Sequence, residues 1–141
     1  MKIALKLAST SGEDIPVGAV VVKDGEIISI ACNKKEKTND VTAHAEIVAI
    51  KEAEKFLNNW RLDGCEMYVT LEPCPMCAWA ILQSRFKAVY FGSYDNFYGA
   101  FGSKLNLNKI LNSKIIIKGG ILEEECDKML NNFFKRVRND N

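Results

Sequence analysis

Two short stretches concentrate the groups that can hold a metal and move a proton: Thr42-Ala43-His44-Ala45-Glu46 and Glu72-Pro73-Cys74-Pro75-Met76-Cys77. His44 is the only histidine of the chain. With Cys74 and Cys77 it supplies three zinc-type ligands, and three protein ligands leave one coordination position open for water, whereas a structural zinc closes all four with protein. Two thiolates and a neutral imidazole already balance the charge of the dication. The metal then acidifies its water less than an all-histidine site would, and a separate base becomes useful. Glu46, two residues beyond His44, is placed to be that base. The chemistry implied is hydrolysis with one zinc per chain, His44, Cys74 and Cys77 as ligands and Glu46 as the catalytic carboxylate.

The spacing also fits local structure. Cys74 followed by Pro75 reads as a helix N-cap and first helical position, because proline's missing N–H costs nothing there. Cys74 and Cys77 then lie three residues apart on one face. The positive end of that helix favours the thiolate form that binds metal. Thr42 is expected to cap a second helix whose first turn carries His44 and Glu46. Two plainer readings compete. A Cys-x-x-Cys can be a redox dithiol, but such motifs follow a first strand and this one lies mid-chain behind Glu-Pro. A closed structural zinc would need a fourth ligand from Cys32, Cys65 or Cys126, none of which has a partner at ligand spacing.

Elements that position these residues can be read on either side. Met1 to Ser9 reads weakly as a helix, broken by Gly12 and Pro16. Val17 to Val22 and Glu26 to Ile30 are apolar, β-branched runs around Asp24-Gly25, the signature of a hairpin. Ala43 to Phe56, with Ile47, Ala49, Ile50, Ala53 and Leu57 at helical period, opens on the first motif. Met67 to Leu71 is a strand feeding the second motif, and Cys74 to Ser84 is its helix. Ala88 to Phe91 and Lys114 to Lys118 are further strands. Leu122 to Arg138 is a terminal helix with Cys126, Met129, Leu130, Phe133 and Phe134 on its inner face, which makes Cys126 a core residue. Strands alternating with helices imply a layered α/β domain whose second half is largely parallel. Ligand sites in such folds form beyond the strand C-termini, where Glu72-Pro73-Cys74 falls.

The 141 residues suit a single domain spanning 1–141, and 48% hydrophobic with 26% charged residues is an ordinary globular composition. Five cysteines, two of them committed to metal, argue against a disulfide framework and for a reducing compartment, hence the cytoplasm. No stretch has the length of a membrane span, and the N-terminus lacks a secretory pattern. A net charge of +1 does not announce a nucleic-acid binder. Basic residues nevertheless cluster at Lys34, Lys35 and Lys37, at Lys104 and Lys109, and at Lys135, Arg136 and Arg138. Such clusters can frame a phosphate-binding surface.

His44-Ala45-Glu46 with Pro73-Cys74-Pro75-Met76-Cys77 matches the H-x-E and P-C-x-x-C signature of zinc-dependent base deaminases. Ile15-Pro16-Val17-Gly18-Ala19-Val20, Asn33 upstream of the histidine motif, Ser84-Arg85, and Asp95 followed by Gly99-Ala100-Phe101-Gly102-Ser103 are more specific. With them the chain resembles the bacterial tRNA-specific adenosine deaminases of the cytidine deaminase-like superfamily, from about Met1 to Arg138. The resemblance implies a three-layer α/β/α fold with a five-stranded mixed sheet, and a homodimer. It implies a tRNA anticodon stem-loop as partner, its wobble adenosine being converted to inosine. By the same resemblance Asn33 contacts the flipped adenine, Asp95 belongs to the loop touching its neighbours, and Ala45 joins them in the substrate site. Cys32, Tyr94, Phe97 and Tyr98 depart from the family's usual residues, and the loop aromatics are suited to stacking on unpaired bases. The nearer alternative is a deaminase of a free base or nucleoside such as guanine, cytosine or cytidine. The farther one is a non-catalytic zinc or redox protein, which has no use for Glu46. Large apolar residues at Trp79, Ile81, Leu82, Phe97 and Tyr98 are expected at the dimer interface.

Overall fold

The computed structural model describes residues 1–140. In chain order the elements are α1 (Lys2–Ala8), β1 (Gly18–Lys23), β2 (Glu26–Cys32), α2 (Ala45–Leu57), β3 (Cys65–Leu71), α3 (Pro75–Gln83), β4 (Ala88–Ser93), α4 (Leu107–Ile110), β5 (Ile116–Lys118) and α5 (Glu123–Asp140). The five strands form one mixed sheet in the order β2-β1-β3-β4-β5. β1 runs antiparallel to both β2 and β3, while β3, β4 and β5 are mutually parallel.

Strand periodicity divides the sheet into two covered faces. Ala19, Val21, Met67, Val69, Val89 and Phe91 face the same way and join Ala49, Ile50 and Ala53 of α2 and Ala78 and Ile81 of α3 in one apolar cluster. On the other face Val20 pairs with Tyr68, whose ring stacks on Tyr90 at 4.9 Å. There α1 lies over β1 with Ala4 and Ala8 fully buried, and α5 packs on β4 with Cys126 sunk into the interface. Helices thus cover both faces, as the resemblance implies.

The differences from expectation are local. α2 starts at Ala45 with His44 as its N-cap, not at Ala43 with Thr42 as cap. Thr42 is diverted: its N–H and hydroxyl both donate to Asp40 Oδ1, at 2.9 and 2.7 Å, an alternative that short polar side chains offer the backbone. α4 went unread although Asn106 caps it, accepting from Lys109 N at 3.1 Å. Of the apolar residues expected on the inner face of α5 only Cys126 is buried, and Phe134 remains 42% exposed. Ile81 belongs to the core rather than to a surface, and Leu82 is half-buried, while Trp79, Phe97 and Tyr98 are exposed.

Candidate active site

The two helix starts expected from the motifs bring the three ligands together. His44 and Cys74 are the N-caps of α2 and α3, both in extended backbone conformation, with Pro75 at the head of α3. Cys77 follows three residues on, so its sulfur rises on the same face as that of Cys74. His44 Nδ1 lies 3.6 Å from Cys74 Sγ and 3.5 Å from Cys77 Sγ. All three ligand atoms fall within 4.8 Å of one another. Tetrahedral zinc with bonds of about 2.05 Å to nitrogen and 2.3 Å to sulfur requires an N···S separation of about 3.6 Å. Both N···S edges therefore already have the length a zinc tetrahedron requires, and the sulfur and imidazole donors suit that metal.

The three groups also shift one another's titration. The Cys74 thiol is drawn down to about 4, first by the hydrogen bond from Cys77 and then by His44, against the opposing effect of burial. Cys77 moves the other way, because the bond to Cys74 and burial both hold its proton. His44 is raised, chiefly by its bond to Cys74.

Glu46 occupies the first turn of α2 and is 4% exposed. Burial pushes its carboxyl up to about 7. It stands outside the ligand group, which among the described residues contains only His44, Cys74 and Cys77. A carboxylate buried beside the metal ligands, yet outside their group, is equipped to take a proton and return it.

A cavity of about 380 Å³ opens above this cluster. His44, Ala45, Glu46 and Cys74 form its floor, and Asn33, Lys35, Asp95 and Tyr98 stand among its walls. Asn33, Ala45 and Asp95 thus reach one cavity, as does Tyr98 of the loop aromatics, while Phe97 and Tyr94 do not line it and Cys77 is fully buried. Larger grooves, of about 630 and 760 Å³, lie between α1 and α5 and between α2 and α3, away from the ligand cluster. Of the basic clusters only the Lys34 to Lys37 segment borders the cavity, through Lys35.

Each wall is braced by a buried acid to which the motifs assigned no role. Asp14, 3% exposed, accepts from Glu36 N at 2.7 Å and Lys37 N at 3.3 Å. Asn33 adds to this wall: its Nδ2 donates to Ile15 O and its Oδ1 accepts from Lys35 N, both at 3.2 Å. The opposite wall turns on Asp95, whose Oδ1 accepts from Phe97 N and Tyr98 N at 3.0 Å. Glu72, 2% exposed, holds this loop from below. The sequence signal for Glu72 is an acid set between a buried strand and the Pro-Cys turn, where charge has no surface to occupy.

The family described as cytidine and deoxycytidylate deaminase zinc-binding region matches residues 1–93. The tRNA-specific adenosine deaminase of Bacillus subtilis (strain 168) is 46% identical over 98% of this chain and 88% of the relative. A structure solved in a study of A-to-I editing by tRNA:A34 deaminases superposes with a TM-score of 0.88 at 40% identity, covering 92% of this chain and 97% of that one. A guanine deaminase from Bacillus subtilis matches less of the fold, with a TM-score of 0.63 and 46% identity over 66% of this chain and 61% of that one.

Proposed function

The chain belongs to the zinc-dependent cytidine and deoxycytidylate deaminase family, in its tRNA-specific adenosine deaminase branch, and on that premise we propose the following division of labour. The reaction is hydrolytic deamination of adenosine to inosine at the wobble position of a tRNA anticodon. The observation that carries it is the cavity: an open-sided ligand triad with a dry, unligated glutamate, under walls built from Asn33 and Asp95.

His44, Cys74 and Cys77 would hold the zinc, which when bound would supply an acidified water as the nucleophile. Glu46 takes a proton from the water attacking C6 and delivers it to N1 of the purine, then takes the proton of the new hydroxyl on C6 and passes it to the amino group, which leaves as ammonia. Adenosine and water become inosine and ammonia, and Glu46 ends as it began. Ala45, at the first position of α2, offers a backbone N–H that the helix itself leaves without a partner. Asn33 and Asp95 orient the extruded base and its neighbours, and Tyr98, 69% exposed at the rim, stacks on an unpaired base.

An anticodon stem-loop with adenosine at the wobble position should therefore react far faster than free adenosine, cytidine or guanine. Binding should weaken with salt, and Lys35→Ala should flatten the slope of log affinity against log salt by about 0.7, the contribution of one phosphate contact to a single strand. Equal rates on the stem-loop and on free guanine, without salt dependence, would transfer the assignment to the free-base alternative.

The working assembly is a homodimer. Met76 and Trp79 on α3, with Trp60 beside them, are exposed large side chains, and Trp60, Trp79 and Ile47 line the groove between α2 and α3. Grouped apolar exposure of this kind marks an interface. Sedimentation at micromolar concentration should show a dimer, and a monomer alone would contradict it. Among the described residues no helix is long and apolar enough to cross a membrane, and all five cysteines are free. A tRNA substrate and reduced thiols together favour the cytoplasm as its place of work.

A further inference from the structure

Glu72 is a buried acid that the zinc chemistry does not use. Both of its oxygens are occupied: Oε1 accepts from Asp95 N at 3.1 Å and Ser103 Oγ at 2.5 Å, and Oε2 accepts from Phe101 N at 3.0 Å and Ser103 N at 3.1 Å. Three backbone donors and one hydroxyl of a single loop thus converge on one carboxylate. Charged acceptors make hydrogen bonds roughly twice as strong as neutral ones, so a carboxylate with four donors is a strong anchor for the loop. The main chain beside it adds two more ties. Glu72 N donates to Ser93 O at 2.8 Å, and Pro73 O accepts from Ala100 N at 2.9 Å. Gly99 allows the close approach, since a Cβ there would run into the Glu72 carboxyl group and the Asp95 carbonyl.

Two residues after Glu72 comes Cys74, and two residues after Asp95 comes the exposed aromatic Phe97. The clamp therefore makes the ligand turn and the substrate-facing wall one rigid unit. We propose that Glu72 is a positioning residue for the RNA substrate: it fixes Asp95 and the Phe97-Tyr98 turn relative to Cys74, so that a base in the cavity and the nucleotides beside it are held in register with the metal. This rests on the reading of the substrate as a tRNA anticodon loop.

Glutamine tests the clamp with little change of shape. Turned one way, its NH₂ faces the N–H groups of Phe101 and Ser103. Turned the other, it faces Ser103 Oγ, which can reorient to accept, and Asp95 N, which cannot. The second orientation costs less, and it releases the residue that lines the cavity.

The experiment uses zinc-loaded protein and an anticodon stem-loop, and reads zinc content, KM, kcat and amide exchange. Glu72→Gln should keep its zinc and raise KM about tenfold or more, with kcat at saturation within about threefold of the parent. Exchange at the amides of Asp95, Phe101 and Ser103 should accelerate about tenfold or more, while α2 and β1 keep their protection. Ser103→Ala should raise KM alone but add less in the Glu72→Gln background, because both act through one clamp. Should Glu72→Gln fail to fold, Gly99→Ala, which presses a methyl group against the same carboxylate, and Ser103→Ala carry the same expectation. Unchanged KM and exchange would overturn the proposal. So would loss of zinc with an equal fall in kcat, which would make Glu72 a support of the metal instead. A parent protein inactive on the stem-loop would overturn the substrate reading, and amide exchange would still decide the clamp.

Discussion

Glu46→Ala should leave about one zinc per chain and lower turnover on the order of 10²–10⁴-fold, the usual range for a positioned acid–base group. That loss corresponds to about 3–5 kcal/mol of transition-state stabilisation. The ligand atoms of His44, Cys74 and Cys77 form a complete three-point site without the carboxylate, so removing it takes nothing from the metal. What is lost is the buried carboxyl beside the ligand cluster that carries a proton from water to the purine ring and on to the departing amine. Glu46→Gln should fail almost as badly, because an amide keeps the shape but cannot accept and return the proton. Metal analysis beside single-turnover rates separates the outcomes. Loss of zinc in Glu46→Ala would recast Glu46 as a ligand, and near-normal turnover would remove it from the mechanism.

Cys74→Ser and His44→Ala should each reduce bound zinc from about one per chain to a small fraction and abolish activity, since two remaining donors cannot reproduce the three-ligand geometry. Stability should fall with it. The ligands join the start of α2 to the turn between β3 and α3, so a metal bound only by the folded chain stabilises what it links. A drop of roughly 10 °C in melting temperature is expected for a domain of this size if a few kcal/mol of binding free energy is withdrawn. Plasma emission for zinc and calorimetry on the same preparations check both halves. Full zinc in both variants would overturn the ligand assignment.

The metal cluster was legible because zinc chemistry allows few residue types at few spacings, and His44, Cys74 and Cys77 satisfy them within two short motifs. The sheet was legible where β-branched runs were bounded by turn residues, as at Asp24-Gly25 between β1 and β2. The helix cap at His44 was not, because Asp40 captures Thr42 through a contact that periodicity does not encode. Nor was the surface role expected of Ile81, since an apolar residue on α3 reads alike whether it faces the sheet or solvent, and here it faces the sheet. The clamps escaped for a different reason. Asp14 and Glu72 act on backbone N–H groups 22 to 31 residues away, and a backbone donor leaves no mark in the sequence.

The most direct test of the central claim is to incubate purified, zinc-loaded protein with total tRNA and read adenosine-to-inosine conversion position by position. Conversion confined to wobble adenosines, and absent with Glu46→Ala, is the expected result. No inosine at any wobble position, under conditions where the same preparation releases ammonia from free guanine or cytosine, would contradict it.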